Sequence, residues 1–132
     1  MIDFRQQAFD AYQAGDFGAA EAAYRKALAA DPADIDSRMA LGVVLRRLGR
    51  LDEALEMLER SVTEAPGDFR AYANYGLALQ TARRLDDAVS AYRSAYRLEP
   101  RTIRQISVNL SALGTGMLFL DPRELEAFLG AE

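Results

Sequence analysis

The stretch Gly49–Asp68, "GRLDEALEMLERSVTEAPGD", reads as one helix with a Gly before it and Pro66 just past its end. Its apolar residues Ala54, Leu55, Leu58 and Val62 fall three or four apart and share one helical face. Thirty-four residues later stands "RRLDDAVSAYRSAYRLEPRT" (83–102), with the same Leu-Asp, the same Ala and the same Pro. Thirty-four residues earlier stands "GDFGAAEAAYRKALAADPAD" (15–34). A chain that writes one phrase three times at a fixed period is built from repeated units rather than as an irregular bundle.

Aligned at that period, the chain shows columns with distinct physical jobs. Ala20, Ala54 and Ala88 form one small column, Ala27, Ser61 and Ala95 another, and Ala8, Gly42 and Gly76 a third. Small residues let two helix axes approach closely. Tyr24, Leu58 and Tyr92 form a large apolar column that fills the space beside those contacts, and Ala11, Leu45 and Leu79 align as well. Gly15 and Gly49 stand where a first helix must stop, because Gly tolerates the left-handed cap conformation. The third row has Arg83 there, which predicts a turn of different geometry. Phe17, Leu51 and Leu85 follow the break, and Pro32, Pro66 and Pro100 end each second helix. Strand patterns are nearly absent.

In these columns the sequence resembles the tetratricopeptide repeat (TPR) family, whose unit is a 34-residue helix-turn-helix. The resemblance covers 1–102 as three units of about 1–34, 35–68 and 69–102, the first being the most divergent, with Gln7 and Ala8 where the second has Leu41 and Gly42. It implies an all-α fold, a right-handed superhelical solenoid of helix hairpins near 3–31, 35–65 and 69–99. A further helix near 103–113 carries Ile106, Leu110 and Leu113 in the apolar columns, but no second helix with the Ala/Pro signature follows. Residues 103–114 therefore read as a capping helix.

Residues 115–132 leave the repeat. Gly114 and Gly116 break the helix, Met117–Leu120 is a short apolar run, and Asp121, Pro122 and Glu124 make a compact helix-start signal. Leu125, Phe128 and Leu129 give that last helix one apolar face. Three fates stay open for this tail: burial on the chain's own last repeat, pairing with a second copy as a weak homodimer, or continuation into a larger protein.

Composition narrows the function classes. Of 132 residues, half are hydrophobic and 27% charged, which is the balance of a globular domain. There is no Cys and no His, so no thiolate nucleophile, no disulfide and none of the commonest metal or general-base chemistry. Acidic residues spread along second helices instead of pairing, and "GTG" at 114–116 lacks the rest of any phosphate loop. We therefore expect no catalytic residue, no metal and no cofactor. The net charge of −4 argues against nucleic acid as a partner, and no apolar run reaches the roughly 18 residues that span a bilayer. The opening "MIDFRQQAFD" lacks a basic and an apolar signal region, so a cytoplasmic location is expected.

The resemblance also implies a concave groove lined by first helices, in which a partner protein or peptide segment would lie. By column, Phe9, Val43 and Leu77 would form an apolar stripe, with Tyr12, Arg46 and Gln80 beside it, then Arg47, and with Arg5, Met39 and Arg70 close by. Arginine suits carboxylates because its planar fork donates two parallel hydrogen bonds, so the expected ligand is an acidic segment. Arg50, Arg83 and Arg84 instead sit at helix ends, where positive charge complements the helix dipole. In the chaperone-binding TPR subclass, Lys, Asn and Arg at set columns clamp a terminal carboxylate. Here Arg5 and Arg70 occupy two basic positions, but Phe9 and Ala40 replace the Asn residues and Asn74 stands at the remaining basic one, against that clamp. The main alternatives are a scaffold acting through the tail, or a substrate-recruiting domain at the N-terminus of an enzyme such as a glycosyltransferase.

Overall fold

The computed structural model describes residues 2–112 and 122–131, with the backbone alone at Ala112 and Pro122. Every regular element among them is helical: α1 (Phe4–Gln13), α2 (Phe17–Ala30), α3 (Ile35–Arg47), α4 (Leu51–Glu64), α5 (Phe69–Thr81), α6 (Leu85–Leu98), a 3-10 turn at Pro100–Thr102, α7 (Ile103–Ala112) and α8 (Pro122–Gly130). Contacts gather them into two compact units, Met1–Ala65 and Pro66–Glu132. In the first unit α1 packs on α2, α2 on α3 and α3 on α4; in the second, α5 packs on α6 and α8 lies on α6 and α7.

The small and large columns explain the hairpins. Ala20, Ala54 and Ala88 are all fully buried. A Cβ added to Gly42 would lie 2.6 Å from Leu58 Cγ, and one added to Gly76 would lie 2.6 Å from Tyr92 Cε1. The α3/α4 and α5/α6 hairpins thus seat a large side chain of the second helix on bare backbone of the first. In the first unit Ala8, Ala20, Ala23, Tyr24, Leu41, Val44, Leu45 and Ala54 form one core cluster.

The helix ends follow local chemistry. Asp3, Asp16, Asp34 and Asp68 are N-caps, each accepting a backbone N–H of the first turn through its carboxylate. Helices α4 and α6 begin at Arg50 and Arg84 with no side-chain cap; the acid has moved into the first turn, as Asp52 and Glu53 or Asp86 and Asp87. There it meets the positive end of the helix dipole. Glu53 and Asp87 also bind the arginine behind them, at 2.7 and 2.8 Å.

One expectation is corrected. Without Gly the third turn was expected to differ, yet Arg83 adopts φ 66°, beside 79° at Gly15 and 81° at Gly49. The hydrogen bonds match as well: Arg83 N donates to Gln80 O and Arg84 N to Leu79 O, as Gly49 N does to Arg46 O and Arg50 N to Leu45 O. These bonds satisfy the last carbonyls of the first helix, and the close seating of the hairpin leaves no longer route. The side chain bears the strain.

The C-terminal helix buries its apolar face within its own unit. Leu125 and Leu129 are buried, and Phe128 is covered by the Arg93 guanidinium 4.9 Å from its ring centroid. Arg93 Nε also donates to Phe128 O at 3.1 Å. The expected apolar run Met117–Leu120 and the Asp121 cap lie outside the described residues, as does Leu113.

Two stability changes are expected. Gly76→Ala should cost roughly 1–3 kcal/mol, because Tyr92 is held in place and cannot yield, whereas Gly67→Ala, with open space around its Cβ position, should change little. Urea melts giving equal midpoints for the two variants would refute this packing. Arg83→Gly should raise stability by roughly 0.5–1 kcal/mol, the relief of a left-handed non-glycine less the entropy of glycine in the unfolded chain. The same melts check it, and a lowered midpoint counts against a strained turn.

Candidate functional site

Within Met1–Ala65 the first-helix residues assemble around one aromatic stack. The Tyr12 and Phe17 ring centroids lie 5.4 Å apart, with the planes tilted by 57°. The Arg47 guanidinium sits 4.8 Å from the Phe17 centroid, a cation–π distance. Thus α1, the start of α2 and the end of α3 meet at the hairpin turns. Phe9, one helical turn from Tyr12 on α1, leaves half of its surface in solvent (50%). Val43 and Arg46 on α3 are half-buried, and Arg47 is exposed.

Arg5, a turn earlier on α1, is exposed and reaches the beginning of α3, with Nε 3.5 Å from Asp34 and Nη2 3.4 Å from Asp36. Partial burial acts to raise the Asp34 pKa, but the Ser37 hydroxyl and N–H bonds and the Arg5 charge outweigh it and hold the carboxyl below its ordinary value. The Ser37 hydroxyl donates to Asp34 at 2.6 Å. Burial raises the Tyr24 phenol, against the opposing charge of Arg5. The Arg5–Asp36 contact is an exposed ion pair of small net value, whereas the Asp34 carboxylate is largely covered.

Within Pro66–Glu132 the corresponding residues diverge. Arg70 is exposed and paired with its own helix cap, 2.8 Å from Asp68. That bond, opposed by partial burial, lowers the Asp68 pKa. Leu77 is half-buried.

Two expected site residues belong to the interior. Met39 is 5% exposed and Gln80 2%. Met39 is enclosed because α3 packs against both α2 and α4. Gln80 anchors α7: its Nε2 donates to Asn109 O at 2.8 Å, and its Oε1 accepts from Tyr92 OH at 2.6 Å. Asn109 in turn accepts from Gln105 at 2.9 Å.

Phe17 and Asn109 were missed as partners of these groups. Phe17 had a signal, an aromatic ring in a column otherwise occupied by Leu. Asn109 had none, because its role depends on where α7 docks. Among the described residues no three His, Cys, Asp or Glu side chains gather as a metal site would require.

The tetratricopeptide repeat profile matches residues 5–69 and 56–102. No curated protein matches the chain. Among solved structures, the Arabidopsis OM64 TPR domain superposes with a TM-score of 0.77 at 18% identity, covering 86% of this chain and 93% of that one. The first TPR of Spaghetti (RPAP3), bound to an HSP90 peptide, gives 0.73 at 20% identity, over 83% and 92%. A Thermobaculum terrenum O-GlcNAc transferase mutant gives 0.79 at 26% identity; it covers 95% of this chain, which spans only 24% of the transferase.

The Asp34 shift sets an expected pH response. Its folded pKa lies below the unfolded value near 4, so the ionised carboxylate contributes stability above about pH 4. That contribution is lost as pH falls through the folded value. The stability difference between the native chain and Asp34→Asn should therefore be larger at about pH 7 than at about pH 3. Chemical denaturation at both pH values checks this, and a constant difference would remove Asp34 from the acid response.

Proposed function

The chain belongs to the tetratricopeptide repeat family, and from that premise we propose that it is a non-catalytic interaction module that binds an acidic segment of a partner protein. The contact surface is the first-helix face of Met1–Ala65. One observation carries the reading: Phe9, an aromatic side chain on a packed helix, stands half in solvent between Arg5 and Tyr12. Covering its exposed half would contribute on the order of 1 kcal/mol, and aromatic and arginine anchors dominate binding surfaces. Arg5, Arg46 and Arg47 supply the charge that selects an acidic segment, with Val43 as the apolar floor. Arg70 and Leu77 offer a similar pair in the second unit. That a TPR of the same fold is bound to an HSP90 peptide supports peptide binding as the use of this fold.

A second reading has its own observation. The similarity to the O-GlcNAc transferase mutant spans nearly the whole chain at 26% identity, which fits a recruiting domain of a larger enzyme. Reading the gene beyond codon 132 separates the two.

The test is an acidic peptide selected on the intact chain by display and measured by fluorescence anisotropy. Phe9→Ala with Arg46→Ala and Arg47→Ala should weaken it by roughly tenfold or more with unchanged helical circular dichroism. Added salt should weaken it further, because exposed charge contacts are screened. Undiminished, salt-insensitive binding by the triple variant would overturn the proposed surface.

A further inference from the structure

A second feature of Met1–Ala65 shares no residue with Phe9 and the Tyr12–Phe17 stack. Helices α2, α3 and α4 line an open cleft of about 350 Å³, within the size range of small-ligand pockets. Its apolar lining is Leu28, Ala29, Pro32, Leu41 and Met57, and its only charged lining groups are Arg25, Arg38 and Arg60. No carboxylate lines it.

The three guanidiniums differ in their commitments. Arg25 is already paired with Glu21 and Glu53, at 2.9 and 3.2 Å. Arg38, 6% exposed, is fixed by Glu64 and by the Pro32 carbonyl. Its five donors exceed what these two acceptors use. Arg60 is exposed and makes no ion pair or hydrogen bond among the described residues, although a neighbouring depression contains Glu56, Glu59 and Glu64. The cleft therefore combines an apolar floor, one buried and immobilised guanidinium, and one guanidinium at the rim with its donors unused.

We propose that this cleft binds a free aliphatic carboxylate, its chain on Leu28, Leu41 and Met57 and its carboxylate on Arg60 beside Arg38. The charge of the lining selects an anion, the floor requires an alkyl group, and the volume sets small-molecule size. An inorganic anion would leave the floor uncovered, and a neutral hydrocarbon would gain nothing from the Arg60 charge.

The probe is octanoate, titrated into the intact chain and followed by ¹H–¹⁵N NMR, with octan-1-ol as the uncharged control. Saturable shifts should centre on Leu28, Ala29, Leu41 and Met57. Arg60→Gln, which alters an exposed residue outside every ion pair, should weaken octanoate by roughly tenfold or more, the scale of a charge-assisted hydrogen bond. Octan-1-ol should bind weaker by a similar factor and be indifferent to that change. Ala29→Trp, at the exposed edge of the cleft, should block both. Shifts centred elsewhere, or equal octanoate affinity in the native chain and Arg60→Gln, would overturn the proposal.

Discussion

The constraint on which the structure depends is the contact of a large side chain with bare backbone inside the α3/α4 and α5/α6 hairpins. Leu58 rests on Gly42 and Tyr92 on Gly76, at separations that leave no room for a Cβ. Dense packing makes such a contact unforgiving, since a methyl group too many must move a helix axis. Once the axes are this close, the turn between them has one short path. That path takes a left-handed residue, at Arg83 as at Gly49. The hairpin geometry therefore overrides local preference at the turn.

Polar groups inside the second unit are placed by the same contact. Tyr92, seated on Gly76, carries a hydroxyl into the interior, where it must find an acceptor. Gln80 provides it, and the other end of that amide holds α7 through the Asn109 carbonyl. The amide takes part in two buried hydrogen bonds, which is why it is absent from the surface. A packing contact in one hairpin thus fixes the helix that follows it.

The first-helix face shows how neighbours decide exposure within one column. Arg5 and Met39 occupy equivalent positions, yet the first is exposed and the second buried. Helix α1 packs on α2, whereas α3 is flanked by α2 and α4. The half-exposed Phe9 stands on a first helix and Arg60 on a second helix of the same unit. The two features differ in chemistry, an aromatic ring with arginines in one case and an apolar cleft rimmed by arginine in the other.

Period and residue size were legible in the sequence because they are local: 3.6-residue spacing, small and large columns, and Asp at helix starts act through near neighbours. The all-α hairpin architecture followed from them, as did the arginine and aromatic character of the first helices. Which members of those columns stay accessible was not legible. Exposure depends on what packs over a residue from elsewhere in the chain, and it turned Met39 and Gln80 inward while leaving Phe9 outside. The Arg83 turn, the Phe17 stack with Tyr12 and Arg47, and the cleft behind α3 were likewise decided by tertiary contact. Each arises only when helices distant in sequence are brought to within a few ångströms of one another.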